Sequence, residues 1–360
     1  MKNLIISILF LFSFLYVNAK EYKAVKMIDI QGVIWGMDFI SENKLILTVK
    51  NGNIFLYDIK RKKIDKLYEV TDVFNVGQGG LLDVKISPNF KKDKTIFFTY
   101  SKNINSRGAT TLAKAKFEND QLTNFEDILV TKSISNENVH YGSRITFDEK
   151  GHLFFGVGER GVRDNAQDLT NHAGTILRLN LDGTVPKDNP FVNDKTKLDE
   201  IYSYGHRNPQ GIFYDKKNNR LWEVEHGPKG GDEVNLIQAS KNYGWPIISY
   251  GREYWSKKPV GKKEKEGMLQ AKKYYVPSIA TSSIIYYDKD IYSELKDKLI
   301  VSALKLRHLN ILTVDKNANI VKEERIFAKL GDRIRNIAQS PKGLLYFSTD
   351  QGKIYLIRKD

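Results

Sequence analysis

Six times along the chain an apolar strand pattern passes through a short turn into a second apolar strand, another turn and a third strand. The copies run Trp35 to Ile59 (WGMDFISENKLILTVKNGNIFLYDI), Leu81 to Phe117, Ile145 to Asn180, Gly211 to Ile237, Ser283 to Val314 and Ile334 to Ile357. Apolar residues alternate with period two inside each run, and Gly, Asn or Lys turns bound them, which is the signature of strands. No convincing amphipathic helix competes with them. Six small antiparallel sheets can bury both of their faces only against one another, and radial packing does this while leaving short protected edges. The repeat therefore predicts an all-β, six-bladed β-propeller with four-stranded antiparallel blades, occupying residues 20–360 as one unit. Residues 21–34 are expected to add the strand that completes the last blade and closes the ring.

Stretches at roughly 101–143, 160–173, 184–206 and 239–280 read as insertions between blades. In a propeller such loops gather at the ends of the central channel, where ligands bind.

Residues 1–19 read as a signal peptide: Lys2 is followed by an apolar run from Leu4 to Val17 and a Val17-Asn18-Ala19 cleavage pattern. That run is shorter than the roughly 20 residues a membrane-spanning helix needs, so no transmembrane span is expected and the mature chain is placed in the periplasm or outside the cell. Cysteine is absent, which excludes disulfides, thiolate metal sites and cysteine nucleophiles. The net charge of +14 is carried by lysines spread along the chain, densest at Lys257 to Lys265. No helix-turn-helix, zinc-finger or RNA-binding pattern accompanies it, so the charge reads as a solvated surface and nucleic acid is not an expected partner.

Polar residues cluster in short constellations: GQGGLLDV at 77–84, VHYGSR at 139–144, GERG at 158–161, GHRNPQG at 205–211, EHGPKGGDEVN at 225–235, NYGWP at 242–246, SALK at 302–305 and DRIR at 332–335. Gly156 to Gly161 matches G-x-G-x-x-G, but no crossover helix follows it, and a dinucleotide site needs one. None of the six histidines stands in a zinc-protease spacing. His140 lies among polar neighbours, as a general base working near neutral pH would; a structural role is the alternative. The glycine-rich turn from Gly227 to Glu233 offers carbonyl and carboxylate oxygens of the kind calcium takes, or is a solvated turn. Arg333 and Arg335 alternate on one strand and share a face, and with Lys305 they would suit a ligand bearing several carboxylates, or they form an exposed basic strand end.

Taken in order, these motifs resemble the soluble pyrroloquinoline-quinone (PQQ)-dependent aldose sugar dehydrogenases, the glucose/sorbosone dehydrogenase family, over roughly residues 30–358. The most specific matches are GQGGLLDVKISPNF, GTILRLNLDGTVPKDNPF, YGHRNPQGIFYD and EHGPKGGDEVNLI with KNYGWP. The resemblance implies oxidation of an aldose at C1 to an aldonolactone, with hydride passing to PQQ beside Ca2+, and a quinone or cytochrome as onward electron acceptor. By motif position it makes His140 the base and Glu159 its acidic partner, and it sets Gln78 beside the cofactor or substrate. Arg207 and Asn208 then hold the reactive quinone oxygens, and Lys305, Arg333 and Arg335 bind the cofactor's carboxylates. The carbonyls of Gly227 and Pro228 hold the catalytic calcium, with Glu233 and Tyr243 at a second calcium site.

Members often carry an aromatic residue before the proline at 277, where this chain has Val276, and the lysine-rich loop 252–273 is its own, with a bearing on substrate access. The assembly is expected to be a monomer or homodimer. A propeller that binds a glycan or protein without catalysis, and a calcium-dependent lactonase-like hydrolase, are the readings to weigh against this one.

Overall fold

A computed structural model describes residues 22–359, so the segment read as a signal peptide lies outside the described residues. Within them, twenty-four strands form six four-stranded sheets. Blade one runs Ile34–Ser41, Lys44–Val49, Asn53–Asp58 and Lys63–Glu69. Blade two runs Leu81–Ile86, Thr95–Ile104, Arg107–Glu118 and Gln121–Val130. Blade three runs Ile145–Phe147, His152–Val157, Thr175–Asn180 and Ile201–Tyr204. Blade four runs Pro209–Asp215, Arg220–Glu225, Asp232–Ile237 and Lys273–Tyr275. Blade five runs Thr281–Tyr287, Lys298–Ala303, Leu309–Val314 and Ile320–Ile326. Blade six takes Ile334–Gln339, Leu345–Thr349 and Lys353–Lys359 from the C-terminus. Its outermost strand is Tyr22–Asp29, paired from Tyr22↔Lys359 to Asp29↔Lys353, so the ring closes as the repeats require.

The stretch 101–143 is not an insertion. Thr95–Ile104 and Arg107–Glu118 pair from Thr95↔Lys116 to Ile104↔Arg107 and Gln121–Val130 adds the blade's outer edge, which leaves only tight turns and the residues after 130 as loop. The stretches 184–206 and 239–280 likewise end in the outermost strands of blades three and four. Outermost strands were missed because one side of them meets water. Lys63–Glu69 (KIDKLYE) is mostly exposed and carries little apolar alternation to read.

Apolar side chains fill the wedges between neighbouring sheets, as where Ile46 and Leu56 of blade one meet Val84 and Phe98 of blade two. Each such side chain contributes about 1.5–3 kcal/mol by leaving water. Nearer the channel, hydroxyls on one blade bond to the innermost strand of the next or to the residues leading into it. Thr48 Oγ1 donates to Leu82 O at 2.5 Å, Thr99 Oγ1 to Ser143 O at 2.7 Å, and Ser348 Oγ to Ile34 O at 2.9 Å. Gly36 allows this approach, since a Cβ there would lie 2.8 Å from Val84 N.

At the centre Arg144, entering blade three, meets Asp83 of blade two at 2.5 Å. The same guanidinium donates at 3.0 Å to the carbonyls of Trp35 in blade one and Arg335 in blade six. Among the described residues no helix is long and apolar enough to cross a membrane.

Arg144→Leu leaves the Asp83 carboxylate buried without its partner and is expected to cost about 3–5 kcal/mol in urea unfolding. The double variant Asp83→Leu/Arg144→Leu, which removes both charges, is expected to recover a large part of that loss.

Candidate active site

His140 is placed by an unusual backbone run. His140, Gly142 and Ser143 all have positive φ (+55°, +67° and +100°), so the chain coils left-handed just before the innermost strand of blade three. Non-glycine residues hold such angles only where their surroundings insist. His140 N donates to Gln78 Oε1 at 2.9 Å, and Gln78 N donates to Asn138 O at 2.8 Å. The adjacent Arg160 is fully buried, lies 3.5 Å from the centre of the Tyr141 ring, and donates to the carbonyls of Val139, Gly108 (3.1 Å) and Glu137 (2.9 Å). The segment carrying His140 is thus clamped from both sides.

His140 Nδ1 lies 2.6 Å from Oε2 of Glu159, which is only 2% exposed and also accepts from Gly161 N at 2.7 Å. A carboxylate only accepts, so Nδ1 carries the proton and Nε2 is left as the acceptor. Burial pushes the imidazole pKa below its usual value; Glu159 pulls it back in part, while Arg207 and Arg160 push it down further. The ring is therefore neutral near pH 7, with a free lone pair.

On the neighbouring blade, Glu225 Oε2 accepts from the backbone N of Arg207 at 2.5 Å and of Asn208 at 3.2 Å, fixing that pair at the start of its strand. Arg207 donates to His226 O at 3.0 Å, and Asn208 Oδ1 accepts from Gln210 and from Gly142 N. Arg207 Nε and Asn208 Nδ2 are buried and have no partner within the protein. Buried donors in this state are uncommon and point to a missing acceptor.

A cavity of about 260 Å³ opens on the channel, lined by Lys50, Gln78, His226, Arg333 and Arg335 among others. The two arginines do share a face: their Nε atoms lie 2.7 Å from the two oxygens of Asp350. Burial raises the Asp350 carboxyl, but Arg335 and Arg333 outweigh it and hold it below the usual carboxylate range. Lys50 is half-buried, and burial with the charge of Arg335 lowers its pKa. Leu304 lines this cavity; the adjacent Lys305 is exposed and is not part of the lining.

The turn after Glu225 is built for close packing. A Cβ on Gly227 would lie 2.3 Å from Gly231 C, and Gly227 N donates to Asp232 Oδ1 at 3.1 Å. His226 donates Nε2–H to Thr281 O at 2.7 Å, and burial pushes its pKa down to about 4. Beside this turn a second, small cavity of about 10 Å³ brings together Gly227, Glu225, Glu233 and Tyr243, with Pro228 next along the chain. That is room for one water or one ion. Deeper in the blade, Glu223, Glu225 and His206 offer ligand atoms within 4.8 Å of one another. Asn235 Nδ2 bridges Glu223, Glu225 and Glu233, while Glu223 Oε1 and Asn235 Oδ1 are buried without partners. Burial, and then the charge of Glu225, push the carboxyls of Glu223 and Glu233 well above the usual carboxylate range. Oxygens crowded in this way are relieved by a hard cation. The Tyr243 hydroxyl is not free for one: it donates to Leu236 O at 2.6 Å and accepts from Gln238 N at 2.9 Å.

The glucose/sorbosone dehydrogenase family model matches residues 32–358. The chain belongs to that family. It is 34% identical over 330 residues to aldose sugar dehydrogenase YliI of Escherichia coli, spanning 90% of this chain and 89% of that protein. The crystal structure of the soluble aldose sugar dehydrogenase from Escherichia coli, in its apo form, superposes with a TM-score of 0.89 at 32% identity, over 94% of this chain and 99% of that one. The PQQ-bound aldose sugar dehydrogenase of Streptomyces coelicolor shares the fold, with a TM-score of 0.79 at 23% identity over 94% and 98% of the two chains.

In this member of the glucose/sorbosone dehydrogenase family the structure links Gln78, His140 and Glu159 by side-chain hydrogen bonds, joins Arg207 to them through Glu159 N, which donates to Arg207 O at 2.9 Å, and Asn208 through Gly142 N, and sets Arg333 with Arg335 on one cavity. The sequence reading missed Lys50, Arg160, Glu225 and Asp350. One signal was readable: Glu223 and Glu225 alternate with apolar residues in the second half of the strand Arg220–Glu225 (RLWEVE), so both share a buried face. Asp350→Ala, which strands two guanidinium groups, is expected to destabilise the fold by about 1–3 kcal/mol in urea titrations.

Proposed function

We propose that this protein is an exported quinoprotein that oxidises aldoses at C1 to aldonolactones. The observation that carries the proposal is the His140–Glu159 pair, a partly buried neutral imidazole whose proton is held on Nδ1 by a carboxylate 2.6 Å away. Bound PQQ would supply the hydride acceptor, and Ca2+ beside it a Lewis acid.

The residues fit those groups. Arg333 and Arg335, with Lys50 on the same wall, offer charged donors to the cofactor's carboxylates. The unpartnered Arg207 Nε and Asn208 Nδ2 are donors in search of oxygens, as the quinone would provide. The carbonyls of Gly227 and Pro228 are the ligands proposed for the catalytic calcium, and Glu233 with the Tyr243 carbonyl for a second ion. Lys305 would reach the cofactor from the exposed rim. His140 Nε2 takes the proton of the C1 hydroxyl, and Glu159 steadies the imidazolium that results.

The electron acceptor beyond the cofactor is a quinone or a cytochrome, and the leader at residues 1–19 directs the chain to the periplasm or outside the cell. A hydrolase reading is disfavoured, because the cavity that Glu225 and Glu233 line has a volume of only about 10 Å³, too little for a substrate. A purely binding propeller would have no use for a base with its acceptor nitrogen free.

Purified protein loaded with PQQ and Ca2+ is expected to reduce an artificial dye when an aldose is added; loss of both cofactor binding and dye reduction overturns the proposal. His140→Ala is expected to lower kcat by about 10²–10⁴-fold while PQQ still titrates into the protein. The active form of His140 is the neutral one and its pKa is lowered, so the acid limb of kcat/KM should fall below pH 6.5. Glu159 raises that pKa, so Glu159→Gln should move the limb to still lower pH.

A further inference from the structure

The stretch GERG at 158–161 supplies only Glu159 to the chemistry proposed above, yet all four of its residues pack around the segment that carries His140. Gly158 passes so near the base that a Cβ there would lie 2.2 Å from His140 O. Glu159 Oε2 holds the ring through Nδ1, and Gly161 N donates back to that same oxygen. A Cβ on Gly161 would lie 2.7 Å from Glu137 Cγ, three residues before the histidine.

Arg160 is the member without an evident reason. It is fully buried, and it directs its guanidinium at three backbone carbonyls, those of Val139, Gly108 and Glu137. The Val139 carbonyl belongs to the peptide unit whose nitrogen is His140 N, and that nitrogen donates to Gln78 Oε1 at 2.9 Å. One peptide unit is therefore gripped at both of its polar atoms. The Arg160 carbonyl in turn accepts from Ser135 Oγ at 3.0 Å, which ties the start of the segment to the same residue.

A guanidinium in the interior is unfavourable without an anion, and the adjacent carboxylate of Glu159 is committed to His140 and to Gly161 N. Burial pushes the Arg160 pKa down, but a guanidinium stays protonated in proteins. Its Nε is buried with no partner within the protein. An apolar side chain of similar length would cover the Tyr141 ring, 3.5 Å from the guanidinium, without burying a charge. Filling space does not account for an arginine here.

We propose that Arg160 is a positioning residue for the base, fixing the Val139–His140 peptide so that Nε2 meets the C1 hydroxyl at a set angle. This rests on the aldose-oxidising reading. The left-handed φ of His140 persists only while its surroundings hold it, and Arg160 supplies that hold from the same turn that carries Glu159. The charge has a second effect. Burial lowers the imidazole pKa most, Glu159 raises it, and Arg207 and then Arg160 lower it. Removing the Arg160 charge therefore raises that pKa. Since the base works only when neutral, the acid limb of kcat/KM then moves to higher pH, opposite to the shift expected for Glu159→Gln.

Arg160→Met keeps the side chain's reach and drops both fork and charge. In protein loaded with PQQ and Ca2+ it should lower kcat for glucose roughly 10²-fold, with KM and the PQQ titration unchanged and the acid limb moved to higher pH. Arg160→Lys, which keeps the charge without the fork, should also lose kcat but keep the limb of the wild type. In protein without cofactor, the His140 imidazole resonance, assigned by its loss in His140→Ala, should titrate at higher pH in Arg160→Met than in the wild type. Wild-type kcat in either variant, an unmoved limb in Arg160→Met, or loss of PQQ binding in parallel with kcat overturns the role. Should Arg160→Met fail to fold, Arg160→Lys decides alone, and wild-type kcat in it sinks the proposal. If the wild type oxidises no aldose, the reading of the site fails, and the imidazole titration still decides whether Arg160 bears on His140.

Discussion

Asp83 and Arg144 meet in the middle of the ring with both side chains almost wholly buried, and the arrangement of four blades depends on that contact. Asp83 belongs to blade two and also accepts from Ile145 N at 2.8 Å, so it holds the innermost strand of blade three directly. Arg144 reaches back to carbonyls in blades one and six and lies 4.1 Å from the Trp35 ring centre. Taking two charges out of water is expensive, and a pair of this kind adds little net stability over an apolar filling. Its value is geometric. Once the charges are buried, any slip of one blade against the next would leave one of them unpaired.

The site inherits its precision from that centre. Trp35 and Arg335 both line the larger cavity and both touch Arg144, while Arg335 is held from the far side by Asp350. The basic wall is therefore fixed in position before any ligand arrives, which lowers the ordering cost of binding. His140 is treated in the same way, with Gln78 and Arg160 holding its backbone and Glu159 its ring. Burial then sets the chemistry. It lowers the pKa of the imidazole, so that its neutral form can accept a proton, and it raises the carboxyls of Glu223 and Glu233, which favours a cation or a proton beside them.

How much of this could be read beforehand follows from how each residue is surrounded. Inner strands such as Lys44–Val49 and Lys298–Ala303 lie between two sheets and carry dense apolar runs, so they were plain in the sequence. Outer strands such as Gln121–Val130 face solvent on one side and resembled loops. Among site residues, Arg333 and Arg335 were legible because period two puts alternate residues on one face. Arg160, Asp350 and Lys50 were not, since nothing in GERG, STDQG or TVKNG says which carbonyl, charge or cavity each will meet. The lysine-rich loop 252–273 gave no sign of its anchor, an ion pair from Glu253 to Arg163 that joins residues 90 positions apart.

By itself the sequence determined the six strand repeats, the closing strand before residue 34, the motifs that place the chain in its family, and the pairs of residues that share a strand face. These depend on local periodicity and on short spacings, which a chain carries wherever it goes. Only the tertiary structure decided that Gln78, His140, Glu159 and Asn208 form one group, drawn from the loops and strand ends of different blades. It also decided that Asp83 answers Arg144 and that Asp350 answers two arginines at once. The reason is the ring itself. Each blade turns the chain through a sixth of a circle, so residues far apart in sequence are returned to the same end of one channel, and burial there, not spacing, sets what each can do.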